Sequence, residues 1–254
     1  ILPYIPHKAD SGYVRRLCGK FAGGAHTLAQ EGLSDLLKAR RDLVKIAFDF
    51  AEEKAQNGKS AERAAALRIY GVCGRIDKTR AGKACDALIE AGLKDVPSVR
   101  KIALYELDDR LILQSEKKPE TIFDYAKKIA ASDKSEEVRC RAISLASRAD
   151  VEREKMVDFF RDCFKDPSLM VKEHAVRIFP KSLRAHIDED FIEDILRLQA
   201  EGYAAEGSCL GKTSRILLGE IQRTRPDIFS KETPKGREFW YAIHPHYNRQ
   251  RAFT

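Results

Sequence analysis

The sequence predicts an all-α chain built from about five stacked helical hairpins, with an extended arm at each end. Three observations lead there. Apolar residues recur at helical spacing along most of the 254 residues. No Val/Ile/Thr-rich alternating run bounded by turn residues offers a strand. A hairpin-sized motif also recurs, and a single hairpin cannot bury its own apolar face without a neighbour.

The motif is explicit in three places: Leu93-Lys94-Asp95 followed by Val99-Arg100-Lys101-Ile102-Ala103, Ala131-Ser132-Asp133 followed by Val138-Arg139-Cys140-Arg141-Ala142, and Phe164-Lys165-Asp166 followed by Val171-Lys172-Glu173-His174-Ala175. Each is a helix end, an Asp, a short turn and a second helix opening on Val-basic-x-x-Ala. Weaker copies begin at Ala61 and near Leu210, so the anchors 61, 99, 138, 171 and 210 lie 38, 39, 33 and 39 residues apart. The Asp suits a turn or helix start because its carboxylate accepts backbone N–H bonds. The small Ala admits a close neighbour, and Val and Ala at i, i+4 share one buried face.

This pattern resembles the HEAT repeat, in which an Asp in the turn within a repeat precedes Val-Arg at the start of the second helix. The resemblance spans about residues 40–224 and implies a right-handed α-solenoid within 11–226, flanked by arms at 1–10 and 227–254. It also implies that Arg100, Arg139 and Lys172, at equivalent positions, stabilise turns as a ladder. The departures are Lys172 in place of Arg, Ala61-Glu62 in place of Val-Arg, and Gly211 where a helix should be strong.

Periodicity places helices over 11–21, 25–38, 40–56, 60–74, 78–93, 97–113, 119–131, 135–148, 151–165, 168–184, 188–201 and 207–224. The apolar stripes include Leu43, Val44, Ile46, Ala47 and Phe50; Ile122, Tyr125, Ala126 and Ile129; and Met156, Val157, Phe160 and Phe164. Pro180 should shorten or kink its helix. Asp188 reads as an N-cap ahead of Phe191, Ile192 and Ile195.

Net charge is +7, but it is unevenly placed. Residues 1–20 hold four basic groups against one acidic, and residues 231–254 hold five against two, leaving 21–230 close to neutral at +1. The C-terminal segment also carries the only Trp, within Phe239-Trp240-Tyr241. Disordered tails are poor in aromatics, so these should pack on something.

No catalytic signature emerges. Gly207-Ser208-Cys209-Leu210-Gly211-Lys212-Thr213-Ser214 has three residues between its glycines where a phosphate-binding loop needs four, and no strand precedes it. It reads as a helix start between repeats. His244 and His246 point to opposite sides of an extended segment, an awkward geometry for one metal. The acidic groups Asp108-Asp109, Glu136-Glu137 and Asp188-Glu189-Asp190 read as solvated helix faces and N-caps. Alkylpurine DNA glycosylases are also HEAT-like solenoids of similar length, using an acidic residue beside aromatics in a basic groove. No segment here carries that aromatic-rich region.

The expected function is therefore a non-enzymatic scaffold, a structural or accessory subunit contacting other protein subunits, with no cofactor and no metal. Phe239, Trp240, Tyr241 and Tyr247 are the expected anchors, because bulky aromatics dominate interface energetics. Arg15, Arg16, Arg249 and Arg251 would add polar or phosphate contacts. The alternative partner is RNA or DNA, with these arginines on phosphates and the tail aromatics on bases. Six cysteines at least twelve residues apart, on apolar helix faces, point to a reducing intracellular compartment. A chain beginning at Ile1 is compatible with a mitochondrial or other organellar mature protein, and equally with a trimmed one. No uncharged run approaches the roughly twenty residues of a membrane span.

Overall fold

The computed structural model describes residues 11–19 and 26–243. Fourteen α-helices occur among them and no strand: α1 Ser11–Gly19, α2 His26–Ala39, α3 Val44–Asn57, α4 Ser60–Ile76, α5 Lys78–Lys94, α6 Pro97–Glu106, α7 Asp109–Gln114, α8 Pro119–Ser132, α9 Glu136–Ala146, α10 Arg153–Phe164, α11 Leu169–Ile178, α12 Glu189–Ala204, α13 Leu210–Thr224 and α14 Pro234–Ile243. The chain forms two compact units, Ile1–Ile129 and Ala130–Thr254.

Within the first unit, consecutive helices pair (α3 with α4, α4 with α5, α5 with α6), and α4 also packs on α6. The same alternation recurs in the second unit, where α10 meets α11, α12 meets α13, and α11 lies between α9 and α13. The second helix of one hairpin thus lies beside the second helix of the next. The contact is built on alanine: Ala66, Ala103, Ala142 and Ala175 are all fully buried, each followed by a buried Leu67, Leu104, Ile143 or Val176. A methyl group at that position lets the helix axes approach, and the aliphatic side chain after it fills the space beside.

This register corrects the first repeat. Arg63, not Glu62, stands in the basic position: its Nη1 donates to the Gly58 carbonyl at 2.9 Å, as Arg100 Nη1 does to Asp95 and Arg139 Nη1 to Asp133. The anchor is therefore Glu62-Arg63, one residue later than the Ala61 start read from sequence, with Ala66 as the close-packing alanine. The last repeat keeps the pattern with substitutions. Leu210 takes the Val position, Gly211 the basic one and Ser214 the alanine one, all three buried. The Ser214 hydroxyl has no hydrogen-bond partner there.

Gly211 has a packing reason. A Cβ added at Gly202 would lie 2.1 Å from the Gly211 nitrogen, so the two glycines bring α12 and α13 into backbone contact. The segment before α13 is a turn, with Gly207 at φ +77° and Ser208 Oγ accepting from the Leu210 N–H. It joins two helices, as a helix start between repeats requires.

The basic position does form ion pairs between successive hairpins. Arg63 Nε and Nη2 grip both oxygens of Asp95 at 2.7 and 2.6 Å, and Arg139 grips both oxygens of Asp166 at 2.8 Å. Lys172 Nζ reaches both oxygens of Glu201 at 2.7 and 2.8 Å. Asp166 at the same time accepts the Ser168 N–H, and Asp133 accepts that of Ser135, each at 2.8 Å. One carboxylate therefore closes its own turn and receives the preceding hairpin's guanidinium.

Two helix assignments and one core residue differ from the sequence reading. The helix expected over 97–113 breaks between α6 and α7, because Asp108 caps α7 through the Leu111 N–H while Arg75 bridges Asp108 and Glu106. Phe48, not Phe50, is the buried aromatic of α3. The C-terminal segment read as extended contains α14, whose Gly236, Phe239 and Ile243 form a buried i, i+3, i+7 stripe. A pattern of Pro, Gly and aromatics concealed a short amphipathic helix. Other expectations hold: α11 stops at Ile178 before Pro180, and Asp188 caps α12 through the Phe191 N–H at 2.9 Å. The core of the second unit is aromatic, with Phe160 edge-on to Phe179 at 5.1 Å and Phe179 4.9 Å from Phe191.

Asp166→Ala is expected to cost about 3 kcal/mol, because it strands a nearly buried guanidinium and a turn N–H together. Removing Asp49 from its exposed pair with Lys45 should cost less than about 0.5 kcal/mol. Urea unfolding of both variants checks the contrast, and equal losses would exclude the turn-bridging role of Asp166. Gly202→Ala should lose about 2 kcal/mol through overpacking. Gly219→Ala, where an added Cβ meets nothing within 4 Å, should gain about 0.5–1 kcal/mol by helix propensity.

Candidate interaction surface

The residues expected to make contacts fall into distinct places. Arg15 and Arg16 are exposed on α1 in the first unit, Arg15 lying 3.8 Å from Glu53 across solvent. Tyr247, Arg249 and Arg251 lie outside the described residues, as do His244, His246 and the expected arm at 1–10. Phe239 is 2% exposed and 6.2 Å from the Phe229 ring, so it belongs to the interior and not to a contact surface. Its place in the inward stripe of α14 decides this. Trp240 and Tyr241 are half-buried and set edge to face at 5.3 Å, with Lys231 Nζ 3.4 Å above the indole.

Lys235 holds α14 to the start of α12 through Glu189 and Glu193, at 3.1 and 2.9 Å. Between these helices and α13 runs an open groove of about 690 Å³, lined by Leu196, Gln199, Ala200 and Tyr203 of α12, Arg215 of α13, and Glu238 and Ala242 of α14. The α12 contribution is an i, i+3, i+4, i+7 stripe, one face of one helix. Tyr203 is 56% exposed and the nearby α13 residue Ile216 is 65% exposed. Neither was anticipated. Each stands next to a buried residue on its helix, Tyr203 after Gly202 and Ile216 before Leu217, and helical period alone does not show which neighbouring face another element will leave uncovered.

The side chains capable of chemistry are largely engaged in structure. Burial pushes the thiols of Cys18, Cys73, Cys85, Cys140 and Cys163 up, so they stay protonated at neutral pH. All six cysteines are unbridged, and only Cys209 is exposed. Glu106, which the sequence reading did not single out, is 1% exposed, paired with Arg75 at 3.0 Å, and accepts from the Gln30 amide at 3.2 Å. Burial raises its pKa against these partners. Gly71 makes room for the cluster, since a Cβ there would lie 2.4 Å from Glu106 Oε2.

His174 on α11 meets Ser144 on α9. Arg177 donates to His174 Nδ1 at 3.1 Å, which leaves the ring proton on Nε2, directed at Ser144 Oγ 2.7 Å away. Ser144 then donates to the Cys140 carbonyl at 3.2 Å. The hydroxyl is an acceptor toward the imidazole, the reverse of what a base-activated nucleophile needs. Burial, with Arg177 and Arg141 adding repulsion, brings the His174 pKa down to about 4. No group of three or more metal-capable side chains occurs among the described residues, and no described helix is long and apolar enough to cross a membrane.

The unfolded His174 imidazole takes up its proton near pH 6.5 and the folded one only near 4. Its contribution to stability is therefore level above pH 6.5 and lost as pH falls toward 4, by about 1–2 kcal/mol once solvent screening of the half-exposed ring is allowed for. Chemical denaturation from pH 7.5 to 4 should show this slope, and His174→Gln should flatten it. An unchanged slope would refute the neutral, half-buried imidazole. Compared with known proteins, the chain matches no protein-family model and no curated protein.

Proposed function

We propose that this protein is a HEAT-like α-solenoid of about five hairpins acting as a non-enzymatic scaffold for other protein subunits of a larger assembly. The repeat reading is supported by one arrangement met several times: a close-packing alanine and a basic residue bonded to an acid in the next hairpin. The scaffold reading is carried by the surface of the second unit, where Tyr203 borders an open groove beside α14 and Ile216 stands exposed nearby. Large apolar side chains left uncovered around a groove are what a protein interface needs at its centre. Trp240 and Tyr241, half-buried on α14, add rigid aromatic area on the same unit.

The test is affinity purification of the tagged protein from its native source, alongside the Trp240→Ala/Tyr241→Ala variant. The expected result is a stable protein partner, recovered at least about tenfold less with the variant. A protein recovered alone, or with nucleic acid only, would overturn the reading, and the second outcome would favour the RNA or DNA alternative.

A further inference from the structure

We propose that the outward face of α13 is a docking site for an acidic amphipathic helix of a partner protein. This rests on the scaffold reading and names the chemistry of one of its contacts. In the second unit α13 is the third helix of the side-by-side set α9, α11, α13. Its inward stripe of Leu210, Ser214, Leu217, Leu218 and Ile221 is buried. The opposite stripe is Lys212, Ile216, Gly219 and Arg223, at i, i+4, i+7 and i+11, with Arg215 beside it.

Three features of that stripe specify what would cover it. Its centre is apolar, Ile216 being 65% exposed, and Gly219 leaves open space for close approach of another backbone. Tyr203, 56% exposed, flanks the first turn of the helix, its Cδ1 lying 2.9 Å from where a Gly211 Cβ would be. The rim is cationic. Lys212, Arg215 and Arg223 form no side-chain hydrogen bond or ion pair among the described residues, although Arg139, Arg161, Lys172 and Lys235 of the same unit are all paired. The carboxylate on α13 itself, Glu220, is already taken by Arg184 at 2.7 Å.

An apolar centre within an uncompensated cationic rim is complementary to a helix with a leucine stripe flanked by Glu or Asp. From Lys212 to Arg223 the face is about 16 Å long, matching a partner helix of about three turns. A nucleic-acid backbone would satisfy the cations but leave Ile216 uncovered, so the protein ligand is the better fit.

The experiment is fluorescence anisotropy of the full chain with a stapled 15-residue helix carrying leucines at i, i+3, i+4 and i+7 and glutamates on the flanks. The same peptide with lysine for glutamate, and a 15-nucleotide oligouridylate, are the comparisons. Binding of the glutamate peptide is expected, weakened at least about tenfold by lysine replacement or by Arg215→Glu/Arg223→Glu. Gly219→Leu should block it while preserving the unfolding transition, and the lysine peptide should gain affinity for the charge-reversed variant. Absence of glutamate-peptide binding, binding indifferent to these variants, or binding of oligouridylate alone would overturn the proposal. Loss of the α13 site with the native partner still retained through Trp240 and Tyr241 would leave the scaffold reading standing, so the two fail separately.

Discussion

An acidic side chain gripped by the basic residue of the preceding hairpin organises the structure. Asp166 receives two bonds from Arg139 and one from the Ser168 backbone, and Asp95 is held in the same bidentate way by Arg63. The side chains of Arg139 and Asp166 are only 11% and 8% exposed. Taking both from water has a cost that good geometry must offset, so the pair acts less as bulk stabilisation than as a fixed register between neighbours. Helix packing by small apolar contacts alone would tolerate sliding by a turn. A planar fork meeting a carboxylate does not.

Close packing follows from that register. With the hairpins locked at their turns, the buried alanine of each second helix is brought opposite its neighbour, and the aliphatic residue after it closes the gap. In the last hairpin the basic position is Gly211, and Gly202 and Gly211 bring α12 and α13 of that one hairpin into backbone contact. The surface of α13 departs as well, with cations that pair with no acid among the described residues. The break in the ladder and the exposed stripe occur on the same helix, the last before the single helix α14 among the described residues.

The chemistry-capable residues take their meaning from this framework. The half-buried imidazole of His174, the five buried thiols and the Glu106 carboxylate are enclosed by the fold, so their altered proton affinities report packing. The surface proposed for recognition lies on α12, α13 and α14.

Much of this was legible in the linear pattern. Helical periodicity and the recurring Asp with Val-basic-x-x-Ala identified the helices, the turns and the basic position, because these depend on contacts within a few residues or on a repeat that samples the same contact several times. Helix identity was less legible where one residue decides it. Glu62-Arg63 was read one position early, since alanines on both sides allowed either register, and only the bond from Arg63 to Asp95 separates them. α14 was concealed because its single buried stripe is shorter than a convincing period. The sequence by itself determined an all-helical chain, its turn chemistry and its near-neutral centre. Only the tertiary structure decided that Phe239 turns inward while Tyr203 and Ile216 stay in water, because exposure depends on which other element arrives at a face, and that is settled by packing between residues far apart in the chain.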